Sequence, residues 1–549
     1  WVAALAAVLV LHYGREMFPA AVEYPADRVI PFADWISAIM DWLRQNLTWF
    51  TRSITAALDV PLSFALDLLA KGFKFGHGAE AWTLPRLSWV GVVIVAFLAG
   101  RAAGGLKLGL LTGACFLYVA LFGKWTSSML TLGLIAIAVP FCIVTGLFVG
   151  IWAWRKPWAE RFMVSPALDL MQTMPTFAYL IPMLLLFGNS PVSAMMATAI
   201  FATPPMVRAT MLGLSRIPSE ISEFSEMAGC TTRQKLWRVQ LPSARPTLMV
   251  GVNQVIMLAL NMVIISSMIG AGGLGYDVLL ALRALKVGNA MEAGLAIVAI
   301  AIALDRLSQA MAAKQARGHV HQDNEVRKFH QRYPNLVLAI AALLVTTVLS
   351  LAVPAFAKVP AEITVSTARA WKDAVTWVTI NWFDVIEAFR VTLILYVLNP
   401  LRAFCEGFPW LGAVFLLGLA GFQLGGWRLA ATVAALTAFC AATGLWEKTM
   451  ATVYLCGISA FVACLIGIPL GLMASRSDRF ERFLTPIIDT LQTMPSFCFI
   501  IPVVMLFRIG DVTAMIATVA FAVVPAIRYT NHGIRQVPAS LIEAAKVSG

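Results

Sequence analysis

The sequence predicts an all-α polytopic membrane protein made of two parallel copies of one unit. Composition, charge placement and an internal repeat carry that reading. Of the 549 residues, 60% are hydrophobic and only 13% charged, with a mean hydropathy of +0.80, far from the mix of a soluble globule. Apolar runs such as 129–152 are long enough to cross ~30 Å of hydrocarbon as helices. The formal charge of +12 sits in short basic clusters between those runs. That is the pattern of cytoplasmic loops under the positive-inside rule, and it excludes a nucleic-acid surface. None of the eight cysteines forms a C-x-x-C pair, so neither a metal site nor a disulfide framework is implied.

The repeat fixes the architecture. Asp169-Leu170-Met171-Gln172-Thr173-Met174-Pro175 returns as Asp489-Thr490-Leu491-Gln492-Thr493-Met494-Pro495, an offset of 320 (489 against 169). Phe201, Pro205 and Arg208 return as Phe521, Pro525 and Arg528, and Glu223 and Gly229 as Glu543 and Gly549, in the same register. Gly123 and Trp125 match Gly444 and Trp446 one residue further on, so a single indel lies between. So many positions agreeing in step mark a duplication.

The first unit covers residues 1–311. Residues 1–12 read as the tail of a span. Residues 13–87 hold Trp35, Trp42, Trp49, scattered charges and Pro61, the pattern of amphipathic helices lying at headgroup depth. Spans follow near 88–104, 107–122, 128–152, 167–188, 191–213, 247–270 and 290–311. A basic linker, 312–334, carries Arg317, His319, His321, Arg327, Lys328 and Arg332 and reads as a solvated cytosolic tether, not a metal site. The second unit, 335–549, repeats the plan: a span at 335–353, an interfacial stretch to about 408, then spans near 410–425, 428–444, 449–473, 487–508 and 511–531. Counting 1–12, each copy crosses an even number of times, so both point the same way, about an axis along the membrane normal. Placing loop 217–242 in the cytoplasm puts Arg101/Lys107, Arg155/Lys156/Arg161 and the linker on that side too. Repeat logic places roughly 80 further residues, with two spans, after Gly549, so the sequence is expected to be cut at both ends.

Residues 217–242 form a polar interlude. Pro218, Glu220 and Glu223 suit a first helical turn, whose free N–H groups and positive dipole end favour acids. Ile217, Ile221, Phe224 and Ala228 fall at helical spacing and predict one apolar side. Gly229 suits a left-handed stop, and Thr231 or Thr232 a cap for a second short helix that gathers Lys235 and Arg238 and halts at Pro242. This helix–turn–helix resembles the cytoplasmic EAA loop of ABC importer permeases. The family spacing from glutamate to glycine to leucine–proline is met by Glu223, Gly229, Leu241 and Pro242. The first copy departs in having Phe224-Ser225 where two alanines are usual. The second keeps Glu543-Ala544-Ala545 before Gly549.

The resemblance implies a tandem fusion of two type I ABC importer transmembrane domains. Each would dock an ABC ATPase through Glu220, Glu223, Gly229, Leu241 and Pro242, or through Glu543, Ala544, Ala545 and Gly549. The chain itself holds no phosphate loop: Gly123-Lys124-Trp125 lacks the leading glycine and the Ser/Thr that binds magnesium. No catalytic, cofactor or metal site is expected, and ATP with magnesium belongs to the partner. Leu170-Met171-Gln172-Thr173-Met174-Pro175, Gly251-Val252-Asn253-Gln254 and Met268-Ile269-Gly270-Ala271-Gly272-Gly273-Leu274-Gly275 resemble the glycine betaine/proline/choline permeases. That implies a small methylated amine substrate, trimethylamine N-oxide included, delivered by an extracytoplasmic binding protein. Permeases for an unrelated ligand such as methionine share the glycine-rich motif.

Polar groups at membrane depth are expensive unless they face a bundle interior or water. Gln172, Thr173, Met174 and Pro175, their counterparts Gln492, Thr493, Met494 and Pro495, and the set Asn253, Gln254 and Asn261 are therefore candidate pathway residues. Interhelical hydrogen bonding is the competing reading. Gly270, Gly272, Gly273 and Gly275 are candidates for an outer gate or a simple turn. Asp169 and Asp489 are expected at helix N-termini beside the cytoplasm. No aromatic cage for a methylated ammonium is legible. No central pair of ionisable residues is expected in any span, which argues against an ion-coupled transporter or osmolyte channel.

Overall fold

The computed structural model describes residues 8, 10–12, 17, 19–75, 82–317, 334–493 and 496–548. Met494, Pro495, Gly549 and most of the linker lie outside the described residues. The helices used below are α1 (Phe32–Asn46), α2 (Thr48–Leu66), α3 (Trp89–Gly104), α4 (Leu106–Leu121), α5 (Trp125–Arg155), α6 (Ser165–Thr173), α7 (Leu180–Phe187), α8 (Pro191–Ala202), α9 (Pro204–Ser215), α10 (Ser219–Met227), α11 (Arg245–Ser266), α12 (Leu274–Arg283) and α13 (Val287–Arg317). The second copy supplies α14 (Pro334–Ala352), α15 (Ala368–Asn381), α16 (Phe383–Leu393), α17 (Trp410–Ala442), α18 (Trp446–Arg476), α19 (Asp478–Thr493), α20 (Ser496–Phe507), α21 (Asp511–Arg535) and α22 (Ala539–Val547).

Among the described residues, nine helices are long and apolar enough to cross a membrane, with one further bent pair, Pro157–Thr173 and Thr176–Phe187. Two of the nine correct the sequence reading. Thr48–Lys71 and Phe383–Glu406 qualify as spans by length and composition, although both fall in stretches read as interfacial. In the second of them the charges misled that reading: Arg390 donates to Glu387 one turn away at 2.6 Å, so part of the apparent polarity cancels within the helix. The all-α expectation is also trimmed by a small antiparallel hairpin pairing β1 (Phe73–Phe75) with β2 (Trp82–Leu84).

α3 and α4 are each sixteen residues, about 24 Å at helical rise and short of the hydrocarbon thickness. They are joined by Gly105 alone, at φ 84. The second copy repeats the turn inside α17, where Gly425 and Gly426 leave helical geometry and Gly426 takes φ 73. A side chain there would force a left-handed backbone that only glycine adopts without cost.

Packing divides the chain into two compact units that do not follow the repeat boundaries. The larger comprises Asn46–Ala374 with Thr493–Ile501. Its core gathers Met129, Leu134, Ile264, Leu274, Ile297 and Ile300, and α13 adds buried Ala290, Ala293, Ala296, Ala301 and Ala303. Such a run of small side chains lets membrane helices approach closely, since packing replaces hydrophobic driving force there. The smaller unit comprises Trp1–Gln45, Val375–Gln492 and Pro502–Gly549, with buried Ala463, Leu484, Ile488, Val523, Val524 and Ile527 in one cluster.

Each unit joins the leading arm of one copy to the body of the other. In the larger, Trp89 Nε1 donates to the Ala355 carbonyl at 2.9 Å and the Val365 amide to the Leu121 carbonyl at 2.8 Å. In the smaller, Trp410 Nε1 donates to the Ala20 carbonyl at 3.0 Å and the Ile30 amide to the Ala442 carbonyl at 2.8 Å. These are the same two bonds made twice. The body residues repeat at an offset of 321 (410 against 89) and the arm residues at 335 (355 against 20). The excess falls between residues 72 and 88, where the first copy alone builds the β1–β2 hairpin.

Candidate coupling and translocation site

The polar interlude folds as its end signals dictate. α10 begins after Pro218, with Glu220 in its first turn. It stops at Gly229, φ 74, and the Cys230 amide reaches back to the Ser225 carbonyl at 3.1 Å, a glycine-terminated cap. Thr231, not Thr232, caps the next turn in a capping box with Gln234. Lys235 Nζ then donates to Glu226 at 2.5 Å, tying the second arm to the first. Leu236 and Leu241 are buried with Ile151, Leu214 and Ala244, which roots the loop in the membrane domain, and Pro242 is half-buried beside them.

The apolar side of α10 differs from expectation by one position. Phe224 is 69% exposed while Ser225 is 2% exposed, and Ser225 Oγ donates to the Ser222 carbonyl at 2.7 Å. Ile217 and Ile221 are half-buried and Ala228 is exposed. The inward face is thus 217–221–225, and its last position accepts only a small side chain. Glu220, Glu223, Phe224 and Gly229 together face solvent. In the second copy α22 begins after Pro538, and Glu543, Ala544 and Ala545 are likewise exposed.

The two loops are anchored differently. Arg535, at the end of α21, bonds Asp478 at 2.7 Å and Glu481 at 2.9 Å and donates to the Ala474 carbonyl at 3.0 Å. Asn531 Nδ2 donates to Glu481 at 2.7 Å. The Arg535 hydrogen bond holds the Asp478 carboxyl below its ordinary range. At the matching places the first copy has Ser215, Trp158, Arg161 and Met211, so this clasp belongs to the second copy.

The bent segment carries the other candidates. α6 ends as Met174 turns to an extended backbone, φ −66 and ψ 134, and the following helix leaves at 112°. Tyr179 Oη braces the bend by donating to the Met171 carbonyl at 2.6 Å. Gln172, Thr173 and Pro175 are exposed and Met174 half-buried. Thr173 Oγ1 donates to the Asp169 carbonyl at 2.9 Å. In the second copy Gln492 is exposed and Thr493 closes α19. Asp169 and Asp489 are not at helix starts, which corrects the sequence reading. Each instead accepts from an arginine, Arg208 at 2.6 Å and Arg528 at 2.5 Å. All four side chains are partly exposed, so each pair adds under about 1 kcal/mol to stability.

On α11, Asn253 Oδ1 accepts from Ser308 Oγ of α13, Gln254 is exposed and Asn261 half-buried. The glycine-rich motif forms a tied turn between α11 and α12. Gly270 has φ 117, Gly272 φ 68 and Gly273 φ 96, and the Leu274 amide donates to Thr131 Oγ1 at 3.1 Å. A Cβ on Gly275 would lie 2.0 Å from the Ile264 carbonyl, so backbone meets backbone there. α13 carries two buried acids thirteen residues apart, towards opposite ends of the helix and not as a central pair. Glu292 and Asp305 are both 4% exposed. Glu292 accepts from Ser366 at 2.9 Å and Thr367 at 3.2 Å. Asp305 accepts from Gln309 at 2.8 Å. The sequence reading singled out neither, although an acid within a long apolar helix is a visible signal.

A duplicated helical membrane domain, with a short exposed helix at matching places in each copy and a full helix–turn–helix in the first, defines the class. The chain belongs to the family described as binding-protein-dependent transport system inner membrane component, matched over residues 142–318 and again over 467–549. It is a multi-pass transport subunit of the ABC importer type, fused in tandem. Among its relatives are the trimethylamine N-oxide transport system permease protein TmoV of Pelagibacter ubique and that of Ruegeria pomeroyi. The first is 36% identical over 516 residues, 91% of this chain and 71% of that protein. The second is 33% identical over 551 residues, 98% of this chain and 81% of that protein. The glycine betaine/proline betaine transport system permease protein ProW of Escherichia coli is 40% identical over 260 residues, 47% of this chain and 70% of that protein.

Proposed function

We propose that this chain forms the translocation pathway of an ATP-driven importer for small methylated amines, trimethylamine N-oxide first among them. The similarity to trimethylamine N-oxide permeases runs through both copies, whereas the match to the betaine permease spans less than half the chain. That difference in reach is the observation favouring the oxide over glycine betaine, choline or proline betaine.

In this reading 217–242 and the loop opening at 536 face the cytoplasm, and each receives one ABC ATPase subunit. Glu220, Glu223, Gly229, Leu241 and Pro242 serve the first docking site, and Glu543, Ala544, Ala545 and Gly549 the second. ATP and magnesium act in those partners. An extracytoplasmic binding protein selects the ligand and delivers it to a path lined by Gln172, Thr173, Asn253, Gln254, Asn261 and Gln492. Gly270–Gly275 closes its outer end. Exposed acids on the coupling helices support the docking assignment: a protruding, charged short helix has no folding role large enough to explain its exposure.

The test is uptake of labelled trimethylamine N-oxide into proteoliposomes carrying the chain, its ATPase and the loaded binding protein. ATP-dependent uptake of the oxide in preference to glycine betaine is expected. Equal uptake without ATP would favour an ion-coupled carrier, and preference for methionine an unrelated ABC permease.

A further inference from the structure

The duplication offers an internal comparison at the base of each coupling loop. Arg208 sits on α9, seven residues before Ser215 ends that helix, and residues 216–218 lead directly into α10. Its guanidinium crosses to Asp169 on α6 at 2.6 Å, and α6 ends at the bend five residues further, at Met174. Arg528 repeats the crossing from α21 to Asp489 on α19 at 2.5 Å. Each pair borders a cavity, about 470 Å³ in the first copy and 380 Å³ in the second. The helices it joins are therefore not packed solid at that level.

The cavity walls have drifted since duplication. Trp154, Met211 and Leu212 face one cavity, and Ala474, Asn531 and His532 hold the matching places in the other. Aspartate and arginine alone keep their identity as a charged pair. Partly exposed, the pair adds little to stability, so fold maintenance does not account for its retention.

We infer that Asp169–Arg208 and Asp489–Arg528 are positioning residues that carry the movement of each coupling loop to the helix it faces, α6 with its bend in the first copy and α19 in the second. A displaced α10 moves α9 as a rigid rod, and the ion pair drags α6 and the bend with it across the cavity. This rests on the proposal that the loops receive an ATPase.

The test uses the full complex in proteoliposomes, with uptake per ATP hydrolysed as the readout and thermal unfolding as the check on folding. In Arg208→Ala/Arg528→Ala, ATP hydrolysis continues while uptake per ATP falls about tenfold, within the usual range of coupling between sites. A charge swap, Asp169→Arg/Arg208→Asp with Asp489→Arg/Arg528→Asp, restores uptake per ATP to within about threefold of the parent. Should the alanine variant fail to fold, Asp169→Asn/Asp489→Asn carries the same expectation with nearly unchanged shape. Unchanged uptake per ATP in a folded variant, or a swap no better than alanine, overturns the inference alone. Absence of ATP-dependent uptake by the parent complex overturns the functional proposal and this inference with it.

Discussion

Ser225 is the residue that sets which face of α10 turns inward. It lies buried under α10 with its hydroxyl bonded to the Ser222 carbonyl, while Phe224 points away. Ser225→Leu should overpack the root of the loop and cost about 1–3 kcal/mol, read as a lowered melting temperature of the purified protein. Phe224→Ala should leave stability within about 0.5 kcal/mol and change only the coupling of hydrolysis to uptake. Glu543→Ala should likewise uncouple the two while membrane insertion is retained. The helix itself was legible in the sequence, from Pro218, Glu220 and Gly229. Its orientation was not, because the spacing 217–221–224–228 is as good a helical stripe as 217–221–225. Hydrophobicity then put the phenylalanine inside, where the packing holds a small side chain, Ser225.

At the scale of elements, two devices set the geometry. One is the glycine turn between paired short helices. A Cβ on Gly426 would touch nothing within 4 Å, so Gly426→Ala should cost only the nearly glycine-only backbone conformation (φ 73, ψ −168), about 1–3 kcal/mol, measured by denaturant or thermal unfolding. The other is the Arg535 clasp. Arg535→Ala should speed amide exchange in α22 and leave α10 unchanged, since the first copy has no such clasp. The pH dependence has one sign. With the Asp478 carboxyl held below its ordinary range, the clasp is intact above the usual carboxylate pKa. It is lost only as pH falls through the depressed value, and α22 amides less protected at neutral than at acid pH, after intrinsic exchange rates are divided out, would contradict this. The clasp could not be read in advance, because its charged members stand on two helices about 55 residues apart in sequence, beyond the reach of any local pattern.

At the scale of the whole chain, composition and the repeat at offset 320 were enough to give a duplicated membrane domain with two loops. The exchange of leading arms was hidden by the hairpin insertion, which shifts the arms to offset 335 and removes the register that made the bodies recognisable. Phe383–Glu406 was obscured for a related reason, since charges paired within the helix read as polarity. The exchange makes a prediction of its own. A protease site introduced within 318–333 and cleaved in the folded protein should leave the two fragments copurifying in mild detergent. Fragments that separate freely would show that the arms bind weakly.

The central claim is that a duplicated membrane unit converts ATP hydrolysis by separate partners into uptake of a methylated amine. Its most direct measurement is trimethylamine N-oxide accumulation in proteoliposomes holding the chain, its ATPase and the loaded binding protein, with and without ATP. Accumulation that requires ATP and is lost on Glu223→Ala/Glu543→Ala is the predicted result. Accumulation by the chain alone without ATP, or full activity in the doubly substituted protein, would contradict it.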